Sequence, residues 1–158
     1  MTTVSYPSER YPAPPTVSVD VPESWETLSV PGVAIATRQA PAKPDFTPNV
    51  IVRVGTRALH DQPADILMEI AGAMQDRPEA RIGSPETVEL DGQEWTRVVV
   101  TWSDAQGLTI RQTHQSASLP RDEEVQDFIH LTGSTGGAGI DSDEPVVSGV
   151  LASVRLTR

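Results

Sequence analysis

No cysteine occurs among the 158 residues. Its absence excludes a disulfide framework, a thiolate metal site and a thiol nucleophile, and leaves no attachment point for a bacterial lipid anchor on cysteine. Long apolar runs are missing too. The longest span only a few positions, too short for a membrane-crossing helix, and the opening "MTTVSYPSERYPAPPT" has neither the basic start nor the apolar centre of a signal peptide. The expectation is a cytoplasmic protein. Positive charge is scarce, with 12 Lys and Arg against 22 Asp and Glu and a formal net charge of -10. A field of that sign repels phosphate backbones and anionic headgroups. Nucleic acid and membrane are therefore disfavoured as partners, and a basic protein or peptide is favoured.

What is present suits one domain, because a chain of this length buries roughly two thirds of its unfolded surface. Residues 1–15 hold Pro7, Pro12, Pro14 and Pro15 and read as a flexible Pro-rich tail; residues 16–158 form the domain. In "VSVDVPESWETL" Val17, Val19 and Val21 alternate with polar residues, the period of a half-buried strand, and Pro22 ends it. Strands are also expected at Val33–Arg38 and, with Val50, Val52 and Val54 in alternation, from Asn49. Pro63 opens a helix whose apolar side is Ile66, Leu67, Ile70 and Met74, running to Arg77 before Pro78. Three strand candidates follow at Glu86–Leu90, "QEWTRVVVTW" and "GLTIRQTHQS", the first two joined by the hairpin signal Asp91-Gly92. Trp95 and Trp102, seven apart in one strand, point to opposite faces, one under each of two helical layers. "EEVQDFIHLTG" reads as a further strand, with a short helix as the alternative, and "STGGAGIDSDEP" as a flexible loop. That loop leads to a helix capped at Ser142 or Asp143, striped by Val146, Val147, Val150, Leu151 and Val154, and ending near Arg155 and Arg158.

A strand ending V-x-V-P-x-x-W, a Pro-rich loop into P-N-V-x-V-x-V, a helix, a meander and a C-terminal helix together resemble the PsbP-like superfamily. Within it, "VSVDVPESWETL", "PDFTPNVIVRV" and "DQPADILMEI" look most like the actinobacterial LpqN/LpqT-type lipoprotein family, over about Thr16 to Leu156. The resemblance implies an α+β fold in which helices flank an antiparallel sheet, an α/β/α sandwich whose known members are mostly non-catalytic. It says little about the job, since the superfamily includes photosystem subunits, a GTPase-binding factor and secretion chaperones. Members of the lipoprotein type carry a signal and a lipid-bearing cysteine, and this sequence shows neither.

Few side chains suggest chemistry. His60 lies beside Asp61 and Asp65, imidazole and carboxylates that could hold a metal, but no H-x-x-x-H spacing supports this and Asp61 reads better as the helix cap. If the strands bearing His114 and His130 form a hairpin around Arg121, Asp122 and Glu123, residues whose numbers sum to about 244 stand opposite one another. The two imidazoles are then direct neighbours, while a slip of one residue separates them. Even as neighbours they lack the third ligand of a catalytic zinc site. Ser134, Ser142 and Ser148 have no G-x-S-x-G elbow, and "GSTGGAG" lacks the Gly-Lys-Ser/Thr ending of a phosphate loop. "DSDE" is too short for a calcium loop. No cofactor is expected. Trp25 and Phe46 could flank one loop end of the sandwich, as a partner-binding patch or as a hydrophobic plug.

Three functions compete. The leading one is a non-catalytic, chaperone-like adaptor that binds a protein or peptide. Against it stand a metal-dependent enzyme or small-molecule binder using His60 and Asp61 or the His114/His130 pair, and a homo-oligomeric subunit built on a free sheet edge.

Overall fold

β-Branched alternation and turn chemistry lay down most of the chain as strands, which the computed structural model describes over residues 1–158. In order the elements are β1 (Thr16–Ser18), β2 (Trp25–Leu28), β3 (Ile35–Gln39), β4 (Asn49–Ala58), α1 (Pro63–Gly72), β5 (Arg81–Ile82) and β6 (Glu86–Leu90). There follow β7 (Gln93–Ser103), β8 (Thr109–Pro120), β9 (Val125–Gly136), a short tight turn, α2 (Ile140–Ala152) and β10 (Arg155–Thr157). Eight strands form one antiparallel sheet ordered β2-β3-β4-β9-β8-β7-β5, with β6 sharing the outer edge of β7. β1 and β10 make a separate two-stranded ribbon. Helix α2 lies across β9, β4 and β8 on one face, and α1 lies across β7 and β8 on the other. The architecture is the expected α+β sandwich of helix, antiparallel sheet and helix.

Each face has its own core. Under α2, Val50, Val52, Trp95, Ile129, Leu131, Val147 and Leu151 are almost fully buried; under α1, Leu67, Ala71, Val98, Val100, Trp102 and Ile110 are. Trp95 and Trp102 divide between the two layers as their spacing requires. The β6–β7 hairpin turns at Asp91 and Gly92, both at positive φ (51° and 73°), the combination that matches the twist of the paired strands.

Five segments depart from the sequence pattern, each because a distant partner overrides a local preference. First, β1 stops at Ser18 and pairs with β10 instead of joining the main sheet, while Val17, Val19 and Val21 pack on the α2-side core. Second, the C-terminal residues expected to be helical form β10: Ser153 ends α2, its hydroxyl donates to the Val150 carbonyl and accepts from the Asp20 N–H, and Arg155 pairs with Asp20. Third, "WETL", to which the pattern assigns no element after the strand that Pro22 ends, is strand β2, because it finds β3 alongside. Fourth, α1 ends at Gly72. Beyond it the N–H groups of Ala73, Met74 and Gln75 bond three residues back, a tightened turn rather than a helix reaching Arg77.

The fifth departure is the largest. The expected loop does not begin at Ser134: β9 runs on through "STG" to Gly136, and the small residues at its end are packing contacts. A methyl group on Gly133 would stand 2.6 Å from Val147 and 2.9 Å from Leu151, so glycine is what lets α2 settle on the sheet. α2 accordingly starts early, at Ile140, with Gly139 as its cap. Asp143, expected near the cap, lies inside the helix and is paired with Lys43.

Trp25 is half-buried at the edge of the α2-side core, whereas Trp95 is 1% exposed at its centre. Trp95→Ala should cost about 3–5 kcal/mol in urea unfolding. Trp25→Ala should cost about 1–2 kcal/mol, in proportion to its smaller buried area.

Candidate functional site

The β8–β9 hairpin decides what the histidines can do. Its turn is held by the Asp122 carboxylate, which accepts from the N–H groups of Glu124 and Val125, and by the Arg121 N–H, which donates to the Val125 carbonyl. The turn therefore centres on Glu123, one residue beyond the position expected, and the register shifts by two. His114 stands opposite Thr132, and His130 opposite Ser116. The imidazoles are diagonal rather than direct neighbours, but an even shift keeps them on one face. Nδ1 of His114 lies 3.0 Å from Nε2 of His130, with the rings 9° from parallel and their centres 5.3 Å apart.

Those numbers define the contact. The centres are separated by little more than the N···N distance plus two ring radii, so the nitrogens lie on the line joining the centres. This is a linear, edge-to-edge N–H···N hydrogen bond. A metal held by both rings would need two lone pairs converging on a third point, whereas here the lone pair of one nitrogen faces the N–H of the other. His60 and Asp61 are both exposed and remote from the pair in sequence and strand. Asp61 does not cap α1, whose cap residue is Gln62 without a side-chain bond; the Asp61 main-chain carbonyl instead accepts from the Gln126 amide. No three His, Asp or Glu side chains gather anywhere in the chain at metal-binding distance.

The pair belongs to a polar row on the α1 side of the sheet. Gln112, His114, Ser116 and Ser118 alternate along β8, and His130, Thr132 and Ser134 along β9. Gln112 Oε1, His114 Nε2, Ser116 Oγ and Ser118 Oγ have no protein partner, though each is shielded from the surface. Burial pushes His114 down to about 4, helped by the nearby Arg53 cation. Burial likewise pushes His130 down to about 3, helped by His114 and by Arg53. Both rings are neutral at pH 7.

Next to this row the face is open. α1 roofs β7 and β8 but does not lie over β4, β3 or β2. There Leu28, Val30, Ala36, Arg38 and Ile51 line a shallow groove of about 250 Å³, with Leu28 40% and Val30 42% exposed. The same face of β4 continues through Arg53, Gly55 and Arg57. Alternation along β3 and β4 foretells such a face; which part a helix covers depends on where the chain crosses after β4, which no local pattern shows.

Trp25 and Phe46 sit at one end of the sheet but on opposite sides of it. Trp25 packs on the α2-side core beside a hollow of about 190 Å³ shared with Pro22, Pro48, Asp143 and Val146. Phe46 packs on the α1-side core, against Ile110 and Gly136. Its loop is tied down by Asp45, which accepts from the Ala138 N–H, and by Lys43, whose ammonium lies 2.7 and 2.6 Å from the two Asp143 oxygens.

A sheet roofed on one face by α2 and partly on the other by α1, with a C-terminal helix following the meander, is the layer order that the resemblance to the PsbP-like superfamily implies. No protein-family model matches the sequence, and no curated protein matches it. Solved structures do. LpqN, involved in cell envelope biogenesis of Mycobacterium tuberculosis, superposes with a TM-score of 0.71 at 18% identity, covering 99% of this chain and 90% of LpqN. Cyanobacterial PsbP from Synechocystis sp. PCC 6803 gives 0.58 at 14% identity over 99% and 98% of the two chains. A Pseudomonas aeruginosa protein of unknown function gives 0.55 at 13% identity over 89% and 96%. The chain is thus similar in fold to LpqN and to PsbP, and at these identities the likeness is one of fold.

The histidine pair generates a pH dependence of known sign. Both folded values lie below the unfolded value of about 6.5, so the unfolded chain binds more protons in between. Stability should be flat above pH 7 and fall by on the order of 3 kcal/mol from pH 6.5 to pH 5, before most carboxylates titrate. Urea midpoints measured across that range should lose most of this slope in the double variant His114→Gln, His130→Gln.

Proposed function

We propose that this chain is a non-catalytic binding domain that docks a protein or peptide segment on the open sheet face beside α1. The observation that carries the reading is the groove at Leu28, Val30, Ala36 and Ile51, an apolar stretch of sheet that the fold leaves without a roof while both cores beside it are sealed. The chemistry of the titratable groups points the same way. The two buried imidazoles spend their facing nitrogens on each other, and the one hydroxyl that meets them, Thr132 Oγ1 at 3.3 Å, reaches the same His130 Nε2 that already faces His114. None of the three similar structures is described as an enzyme. The likeness to LpqN, a protein involved in cell envelope biogenesis, makes proteins of the envelope the first partners to try.

The test is face-specific capture from the native cell, with the wild-type chain as bait beside Val30→Asp, Ile51→Asp and Val146→Asp. Val146 is 41% exposed on α2, so it controls for an apolar-to-acidic change on the opposite face. A partner held by wild type and Val146→Asp, and weakened at least about tenfold (~1.4 kcal/mol) by Val30→Asp or Ile51→Asp, supports the reading. Equal capture by all four baits refutes it.

A further inference from the structure

Seven of the chain's 12 cationic side chains are ion-paired with carboxylates. Arg53 and Arg57 are not among them, although carboxylates outnumber cations almost two to one. They flank Gly55 on the open face of β4, each two residues away, so all three stand on the same side of the strand. No atom lies within 4 Å of where a side chain on Gly55 would begin, which leaves a notch between the two arginines. Across the register, Phe128 stands opposite Gly55 and His130 opposite Arg53. The Arg57 guanidinium lies 5.9 Å from the centre of the Phe128 ring, folded back over the notch rather than out along the strand. Arg53 is exposed, on the same face of the sheet as the His130 imidazole opposite it. Two unpaired guanidiniums thus frame a bare stretch of backbone, and along the same strand face the surface becomes apolar at Ile51.

We infer that the open face receives an extended acidic peptide segment, with a carboxylate held over Gly55 between Arg53 and Arg57 and apolar side chains in the groove at Ala36, Ile51, Leu28 and Val30. The inference rests on the docking reading above and adds the chemistry of what docks. An extended chain laid along β4 presents same-side residues at the two-residue period on which Ile51, Arg53 and Arg57 are set. Guanidinium is suited to the role because its planar fork grips a carboxylate with two hydrogen bonds. The molecule's net charge of -10 favours a basic partner at long range. Screening confines that field to about 8 Å at physiological salt, so the contact itself is decided by the two local cations.

The experiment titrates the whole protein into three short labelled peptides that alternate valine with glutamate, glutamine or lysine, followed by fluorescence anisotropy. The glutamate peptide should bind at least about tenfold more tightly than the other two and weaken with salt. Arg53→Gln with Arg57→Gln should remove that preference while Lys43→Gln, on another surface, leaves it. Circular dichroism and sedimentation run in parallel verify that the variants are folded and monomeric. Preferential binding of the lysine peptide, or a glutamate preference that survives the double substitution, overturns the inference. If all three peptides bind equally and Ile51→Asp abolishes binding, the docking face stands and only its acidic preference falls. If none binds, both readings fall together for such segments. Displacement by sulfate far beyond that by chloride at equal ionic strength overturns it in favour of a small anion, and concentration-dependent self-association that consumes the site overturns it in favour of a second copy.

Discussion

Strand β9 is the constraint on which the rest of the molecule depends. It pairs along nearly its full length with β4 on one side and β8 on the other, and every residue after Val125 is buried. Its two sides have different tasks. Toward α2 it presents Ile129, Leu131 and Gly133, a surface smooth enough for Val147 and Leu151 to settle on. At the hairpin end the same side carries Asp127, fully buried and paired with Arg121 and, at 2.9 Å, with Arg158, which ties the last residue of the chain to the centre of the sheet. A buried carboxylate is tolerable only with such partners, so the C-terminal ribbon is fastened by charge as well as by strand pairing.

The other side of β9 is polar, and this explains why the two faces of the sandwich are unequal. Phe128, His130, Thr132 and Ser134 offer no continuous apolar surface for a second long helix. α1, whose buried residues are Ile66, Leu67 and Ala71, packs instead over the apolar part of β7 and β8. The uncovered strands β2 to β4 then face outward with Leu28, Val30 and Ile51 among arginines. The neutral imidazole pair sits at the boundary between roofed and open sheet, satisfied chiefly by its own N–H···N bond.

Much of this was legible in the amino-acid sequence, and the remainder was hidden for physical reasons. The alternating valines of β4 and the Asp91-Gly92 hairpin follow from local rules, as does the division of Trp95 and Trp102 between two layers. The sandwich itself emerged from motif resemblance. Local rules failed where a distant partner decides: β10 is a strand only because β1 lies beside it, and "STG" up to Gly136 reads as a flexible loop until Phe46 and Ile110 are seen resting on it. The histidine pair was half visible. Its face was right, but its register depended on an Asp122 side chain that moved the turn by one residue. The unpaired arginines of β4 were invisible as a site, because pairing is a property of neighbours and not of composition.

The central claim is that one sheet face is sealed while the other is open beside α1. Hydroxyl-radical footprinting of the free protein, read residue by residue by mass spectrometry, tests it most directly. The account predicts rapid oxidation at Leu28 and Val30, slower but measurable oxidation at Ile51, and strong protection of Leu67, Val147 and Leu151. Protection of Leu28, Val30 and Ile51 to the level of Leu67 in a monomeric sample would mean that the face is covered, and would contradict the account.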